Sequence, residues 1–309
     1  MKKKIIYEFK ASTNIWTGSV DRQGDKLITT GVLGSIRWWF EVLVRGIGGS
    51  ACNPNSTNST KCNGEKHCVV CELFGCTGWA RKFKFEVTDN NQQTKTSQIK
   101  KNEVFNMCFT ELRPINNEWA LLEATLSLIS KYGAIGGKTV FKPSDENNRQ
   151  DAIHHKDYGL IDITTPSKFN NIELGNLKSY ITDSRWNKVE HNGFSWASLK
   201  NMWFVEGKYL TRQNKEQSEF NRVIGRPEYK QKASENDSWL AGRKATQGKA
   251  ESKKVFSFKN PPRTFGFINS EEHITFDTIE EKLKEVWGKN YWSMLKGDEI
   301  IKKLLEKSI

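Results

Sequence analysis

Apolar residues alternate with charged ones most regularly over residues 81–89, RKFKFEVTD. Phe83, Phe85 and Val87 fall on one side of an extended chain; Lys82, Lys84 and Glu86 fall on the other. That period of two predicts a half-buried strand. Residues 3–12 alternate more loosely and predict an earlier strand. Residues 103–112, ended by Pro114, predict a later one. Between the first two strands the period changes. At about 100° per residue, Ile36, Phe40, Leu43, Val44 and Ile47 share one face of a helix over residues 34–47. Trp39 lies at the edge of that face, and Gly48 and Gly49 stop the helix. A second helix, capped by Asn116 or Asn117, aligns Trp119, Leu122, Leu126 and Ile129. Residues 158–164 read as a short strand. The order is β-α-β-β-α-β, the split βαβ unit of ferredoxin-like folds.

The second half gives a weaker copy of that order. Residues 201–210 read as a strand and 215–223 as a short helix. Residues 254–259 and 263–269 read as strands joined through Pro261 and Pro262, and 277–287 and 298–307 as helices. The fold class predicted is α+β: two tandem ferredoxin-like, RRM-like domains, 1–165 and 166–309. The first carries a Cys-rich, zinc-binding loop over 50–75. The second carries a polar, lysine-rich insertion over about 227–250.

Charge narrows the partner. The 309 residues hold 48 Lys and Arg against 36 Asp and Glu, a formal net charge of +12, which favours a polyanion. Eleven Trp and 17 Phe can also offer stacking platforms, which turns the expectation towards RNA. No apolar run is long enough to span a membrane. The basic Met1–Lys4 start meets Glu8 too soon for a signal peptide, so the expected location is cytoplasmic with no membrane partner.

Six cysteines in an intracellular chain point to metal or free thiols. Cys52, Cys62, Cys68 and Cys71 are spaced C-x9-C-x5-C-x2-C, and the intervening residues could not build a core. A structural, tetrahedral zinc would order them, and His67 could replace one cysteine. Cys76 lies outside the group, and Cys108 reads as a small buried strand residue.

Arg37, Trp38, Glu41 and Arg45 occupy the polar face of the first helix. An exposed Trp38 beside Arg45 would suit stacking on a base while holding a phosphate. The plainer alternative is a solvated i, i+4 charge ladder. Residues 133–138, GAIGGK, are rich in glycine, with Lys131, Lys138 and Lys142 nearby. They suit backbone contact with a nucleic-acid strand, although their spacing and setting are not those of a P-loop. His154 and His155 form the one histidine pair and could supply a general base for RNA cleavage. No nucleophile elbow or carboxylate pair accompanies them.

The stretches GSIRWWFE (residues 34–41), Val44-Arg45-Gly46 and CVVCELFGCTGWAR (residues 68–81) resemble the first-subunit family of the type III-B (Cmr) CRISPR effector complex, within the RAMP superfamily. The glycine loop resembles that superfamily's glycine-rich loop, with Phe141-Lys142-Pro143 where a trailing G-x-G is usual. Over 165–309 the likeness rests on KKVFS (253–257) and FGF (265–267). The resemblance implies a non-catalytic structural subunit of an antiviral, RNA-guided complex. It would bind CRISPR RNA and complementary target RNA near the guide 3′ end, beside other Cmr subunits. The candidate RNA-binding residues are Arg37, Trp38, Arg45, Arg81, Lys131, Gly136, Gly137, Lys138, Arg222 and Arg226. The candidate metal ligands are Cys52, Cys62, Cys68 and Cys71. Two rivals are an endoribonuclease of the same superfamily that processes CRISPR RNA, and a zinc-stabilised protein assembly module.

Overall fold

The structure is a computed structural model that describes residues 3–18, 23–52, 62–137, 142–150, 152–168, 174–189, 193–213, 218–226, 238–242 and 251–305. The chain divides into two compact units. The first comprises Met1–Lys138, Gly159–Lys200 and Gly297–Ile309; the second comprises Thr139–Tyr158 and Asn201–Lys296. Residues 166–200 and 297–309, expected in a second domain, therefore pack with the first. The chain is not cut once near 165 but crosses between the units repeatedly.

The first unit is built on β1 (Lys4–Ala11), β2 (Phe83–Thr88), β3 (Val104–Glu111) and β4 (Ile161–Ile163). They form an antiparallel sheet in the order β2-β3-β1-β4. That is the arrangement the split βαβ order demands, because each helical crossover skips one strand. Alternation sets the buried face: Ile5, Tyr7, Phe9 and Ala11 of β1 and Phe83, Phe85 and Val87 of β2 are all buried. Phe9 faces Phe105 across the ladder, their rings stacked 5.7 Å apart. Lys82, placed on the solvent side by alternation, is buried just before β2. Its ammonium meets Glu72 at 2.5 Å and Glu118 at 2.9 Å, and the two carboxylates hold it charged.

Helices α1 (Thr29–Gly46) and α3 (Asn117–Tyr132) pack together, with α1 also on β2 and α3 on β4. The expected stripe of α1 is buried throughout: Ile36, Phe40, Leu43, Val44 and Ile47 are each at most 3% exposed. The helix starts five residues before the expected position. The Thr17 hydroxyl accepts the Ile28 N–H at 2.8 Å, a partner remote in sequence. At α3 the Asn116 side chain makes no cap; its backbone N–H donates to Glu118 at 3.0 Å. The short α2 (Val69–Phe74), α4 (Leu174–Ile181) and α8 (Gly297–Leu305) complete this unit.

The second unit repeats the topology. β5 (Met202–Glu206), β6 (Val255–Lys259), β7 (Pro262–Phe267) and β8 (Met294–Lys296) are ordered β6-β7-β5-β8, all antiparallel. α5 (Glu219–Val223) and α6 (Ser238–Ala241) fall between β5 and β6, and α7 (Phe276–Trp287) between β7 and β8. A Thr275–Thr278 capping box starts α7. β8 was not expected; three residues carry no readable period. Most of the 227–250 insertion lies outside the described residues. Within it, Trp239 of α6 is buried.

Candidate metal centre

The polar face of α1 is largely covered: Glu41 is buried, and Arg37 and Arg45 are partly buried. Cys52 follows the end of α1, Cys62 lies in the next described segment, Cys68 is the N-cap of α2 and Cys71 lies in its first turn. The four sulfurs lie within 4.8 Å of one another and all four residues are buried. Cys52 and Cys71 Sγ are 3.2 Å apart. The Cys68 N–H donates to Cys62 Sγ at 3.2 Å, and Asn187 Nδ2 approaches the same sulfur at 3.8 Å.

Arg37 and Arg45 stand over this cluster. Arg37 donates through Nη2 to Cys71 Sγ at 3.5 Å, through Nη1 to the Gly75 carbonyl at 3.0 Å, and pairs with Glu41 at 3.2 Å. Arg45 pairs with Glu41 at 3.4 Å and donates to the carbonyls of Ala197 at 3.0 Å and Ala51 at 3.4 Å. Its side chain is one-tenth exposed, which sets aside both the exposed stacking pair and the solvated ladder. Trp38 is half-buried, edge-on to Trp39 at 4.8 Å between centroids.

Electrostatics follow from this burial. Burial works against the Arg37 charge, but Cys71, Glu41 and Cys52 outweigh it and hold the guanidinium above its ordinary range. Burial of Arg45 wins over Glu41 and the sulfurs and pulls it down. Burial also raises the Glu41 carboxyl, though both arginines oppose it. The thiols divide their protons. A hydrogen bond from Cys52 lowers Cys62, and the same neighbour brings Cys68 down to about 7. Hydrogen bonding to Cys62 raises Cys52, and hydrogen bonding to Cys52 raises Cys71.

This donor set fits a metal. A tetrahedral tetrathiolate with metal–sulfur bonds of about 2.3 Å separates its sulfurs by about 3.8 Å, inside the span observed. Four thiolates around a divalent cation leave two negative charges, which Arg37 and Arg45 offset in part, since both also pair with Glu41. His67 is not part of the group. Its Nε2 lies 2.6 Å from Glu72, its Nδ1 lies 3.2 Å from the Asn63 carbonyl, and its ring lies against Trp79 at 4.5 Å. Cys76 contacts the Asn63 carbonyl at 3.5 Å, and Cys108 is buried in β3. Glu41 was read from the sequence only as part of a charge ladder, and Asn187 was not singled out. The same Arg-x3-Glu-x3-Arg run, standing beside a cysteine group, was the available signal for its role there; Asn187 offered none.

The remaining candidates are dispersed. Arg81 donates to the Phe83 carbonyl at 2.7 Å and lies over that ring. Lys131 is exposed in the last turn of α3. The glycine loop already uses its amides: Gly136 N–H donates to Ser35 Oγ at 3.2 Å and Gly137 N–H to the Trp16 carbonyl at 2.8 Å. Gly136 has φ +110°, and a Cβ there would sit 2.6 Å from the Trp16 oxygen, so close packing explains the glycine. Lys138 lies outside the described residues. Arg222 is exposed on α5, and Arg226 donates to the Gly242 carbonyl at 2.8 Å. His155 is buried with Nδ1 2.7 Å from the Lys142 carbonyl, 4.2 Å from the exposed His154 between ring centroids.

No helix among the described residues is long and apolar enough to cross a membrane. No curated protein matches the chain. Among solved structures, the chain is similar to apo Cmr1 from Pyrococcus furiosus at 13% identity, covering 96% of this chain and 99% of that one with a TM-score of 0.49. It is also similar to a chain of the Csm3–Csm4 subcomplex of the type III-A CRISPR–Cas interference complex, at 13% identity, 53% and 76% coverage and a TM-score of 0.27. The RAMP superfamily model matches residues 8–141, the stretch that holds α1, the four cysteines and α3.

Proposed function

We propose that the protein is a non-catalytic, RNA-binding subunit of a type III-B RNA-guided antiviral effector complex. It would contact CRISPR RNA and its complementary target near the guide 3′ end, with other Cmr subunits as protein partners. The observation that carries this reading is the superfamily match over 8–141, on the stretch whose GSIRWWFE and CVVCELFGCTGWAR sequences resemble the type III-B first subunit. The net charge of +12 supports a polyanionic partner. RNA contacts are assigned to Trp38, Arg81, Lys131, Lys138, Arg222 and Arg226; Gly136 and Gly137, whose amides are taken by Ser35 and Trp16, shape the loop instead. Arg37 and Arg45 act behind them, by holding the cysteine cluster on which α1 is seated.

The metal proposed for Cys52, Cys62, Cys68 and Cys71 is a structural zinc. When bound it supplies cross-linking, joining the end of α1 to α2; it supplies no reaction step. The surrounding residues neutralise the thiolates and keep water out.

Purified full-length protein should retain RNA, read as a raised 260/280 nm absorbance ratio that falls on ribonuclease and high-salt treatment. Protein free of RNA, with no affinity for a guide–target duplex alone or within the reconstituted complex, would overturn the reading. The double variant His154→Ala, His155→Ala should leave target cleavage by the reconstituted complex unchanged. Loss of cleavage with RNA binding intact would favour the endoribonuclease.

A further inference from the structure

In the second unit, lysines from two separate segments flank one aromatic ring. Phe220 of α5 is fully buried. Its ring has Lys142 Nζ at 5.7 Å and Lys253 Nζ at 5.8 Å from the centroid. Lys142 is fixed by its own carbonyl, which lies 2.7 Å from His155 Nδ1. The Arg212 backbone N–H donates to the carbonyl of the next residue, Pro143, at 2.6 Å, so the two segments run together. Arg226 holds the Gly242 carbonyl with Nη2, while its Nε is buried with no hydrogen-bond partner.

The arrangement differs from the cysteine site, where Glu41 lies between two arginines. No carboxylate pairs with Lys142, Lys253 or Arg226 among the described residues. After burial, the strongest influences on Lys142 are Lys253, Arg212 and Arg226, all positive, and its ammonium is pushed down to about 6. Burial lowers Lys253 as well, and the charges acting on it are Arg226 and Arg212. The ring face offsets part of the repulsion. These four basic residues are partly buried, and a partly buried group of cations is stabilised when protons leave or an anion enters. Guanidinium forks and ammonium groups converging from several sides suit the tetrahedral, multiply charged oxygens of phosphate.

We propose that Lys142 and Lys253, on the ring of Phe220, bind a phosphate group together with the neighbouring Arg226 and Arg212. This rests on the RNA-binding reading for its source, which is a phosphate of the RNA strand. Inorganic phosphate shares the chemistry and serves as the probe.

The test uses the full-length protein and the double variant Lys142→Met, Lys253→Met, which keeps the apolar stems on Phe220. Inorganic phosphate should raise the melting temperature of the wild type and leave that of the variant unmoved. The variant should also bind RNA more weakly, by about tenfold or more at moderate salt. Should the double variant fail to fold, Arg226→Gln is read in the same two assays. A wild type indifferent to phosphate, with variants that bind RNA as the wild type does, overturns the site and leaves the RNA reading standing. Protection by phosphate in a protein that binds no RNA keeps the site and removes the RNA reading. Protection by phosphate with unchanged RNA affinity in the variant supports the site and overturns RNA as its source.

Discussion

Arg45→Ala separates three readings of α1. The guanidinium is nine-tenths buried and serves Glu41 and the carbonyls of Ala51 and Ala197. Removing it leaves those buried acceptors without this donor, each at about 1–3 kcal/mol. Breaking a buried ion pair costs about 3–5 kcal/mol. Glu41 keeps Arg37 at 3.2 Å, which places the total near the lower end, about 3 kcal/mol. In a unit of this size each kcal/mol is worth about 2–4 °C, so the melting temperature should fall by about 6–12 °C. An exposed ladder would cost less than about 1 kcal/mol. An exposed phosphate contact would cost affinity with no stability change. The assay pairs a thermal melt of the isolated protein with RNA anisotropy at a temperature where the variant is still folded. A melting temperature within about 2 °C of wild type, together with a loss of RNA affinity, would refute the buried role and restore Arg45 to the RNA surface.

Elemental analysis of protein prepared without chelators should find one zinc per chain. Single Ser substitutions at Cys52, Cys62, Cys68 or Cys71 should lose it, and Cys76→Ser and Cys108→Ser should keep it; metal-free wild type would refute the centre. Arg222 is exposed on α5, so Arg222→Ala should weaken RNA binding equally for all sequences. It should make the log-affinity against log-salt slope shallower by about 0.7, with a change confined to one sequence counting against it. Lys142 titrates near 6 in the fold against 10.5 unfolded, so the unfolded chain binds the extra proton between those values and stability rises with pH there. In phosphate-free buffer Lys142→Met should therefore raise the melting temperature most at pH 6 and progressively less towards pH 10. A gap that widens with pH would contradict the clustering with Lys253, Arg212 and Arg226.

The first sheet and three strands of the second were legible because strand and helix periods are local; β8 was too short to carry one. The α1 stripe, the β2 alternation and the βαββαβ order follow from residues near one another in sequence. What could not be read depends on remote partners. Arg37, Glu41 and Arg45 form an ordinary surface ladder until the cysteine segment folds back over them. Lys82 sits on the solvent register of its strand until Glu72 and Glu118 close around it. Gly136 and Gly137 look poised for a ligand until Ser35 and Trp16 take their amides. The four cysteines were recognisable as a group because thiol spacing is itself a local signal. The basic cluster of Lys142, Arg212, Arg226 and Lys253 was not, since its members are drawn from four segments over residues 142–253.

The interleaving of the two units bears on synthesis. The first unit draws on Gly159–Lys200 and on Gly297–Ile309, with α8 packed on α3. A Cβ at Gly297 would lie 2.0 Å from the Leu199 carbonyl oxygen, so the last helix enters against residues made about a hundred positions earlier. A ribosome that has delivered the first sheet with α1 and α3 has not yet delivered α8, which packs on α3. The first unit therefore receives its last helix only after the second has emerged, so the usual sequential, unit-by-unit order of folding during translation leaves it one helix short until the end.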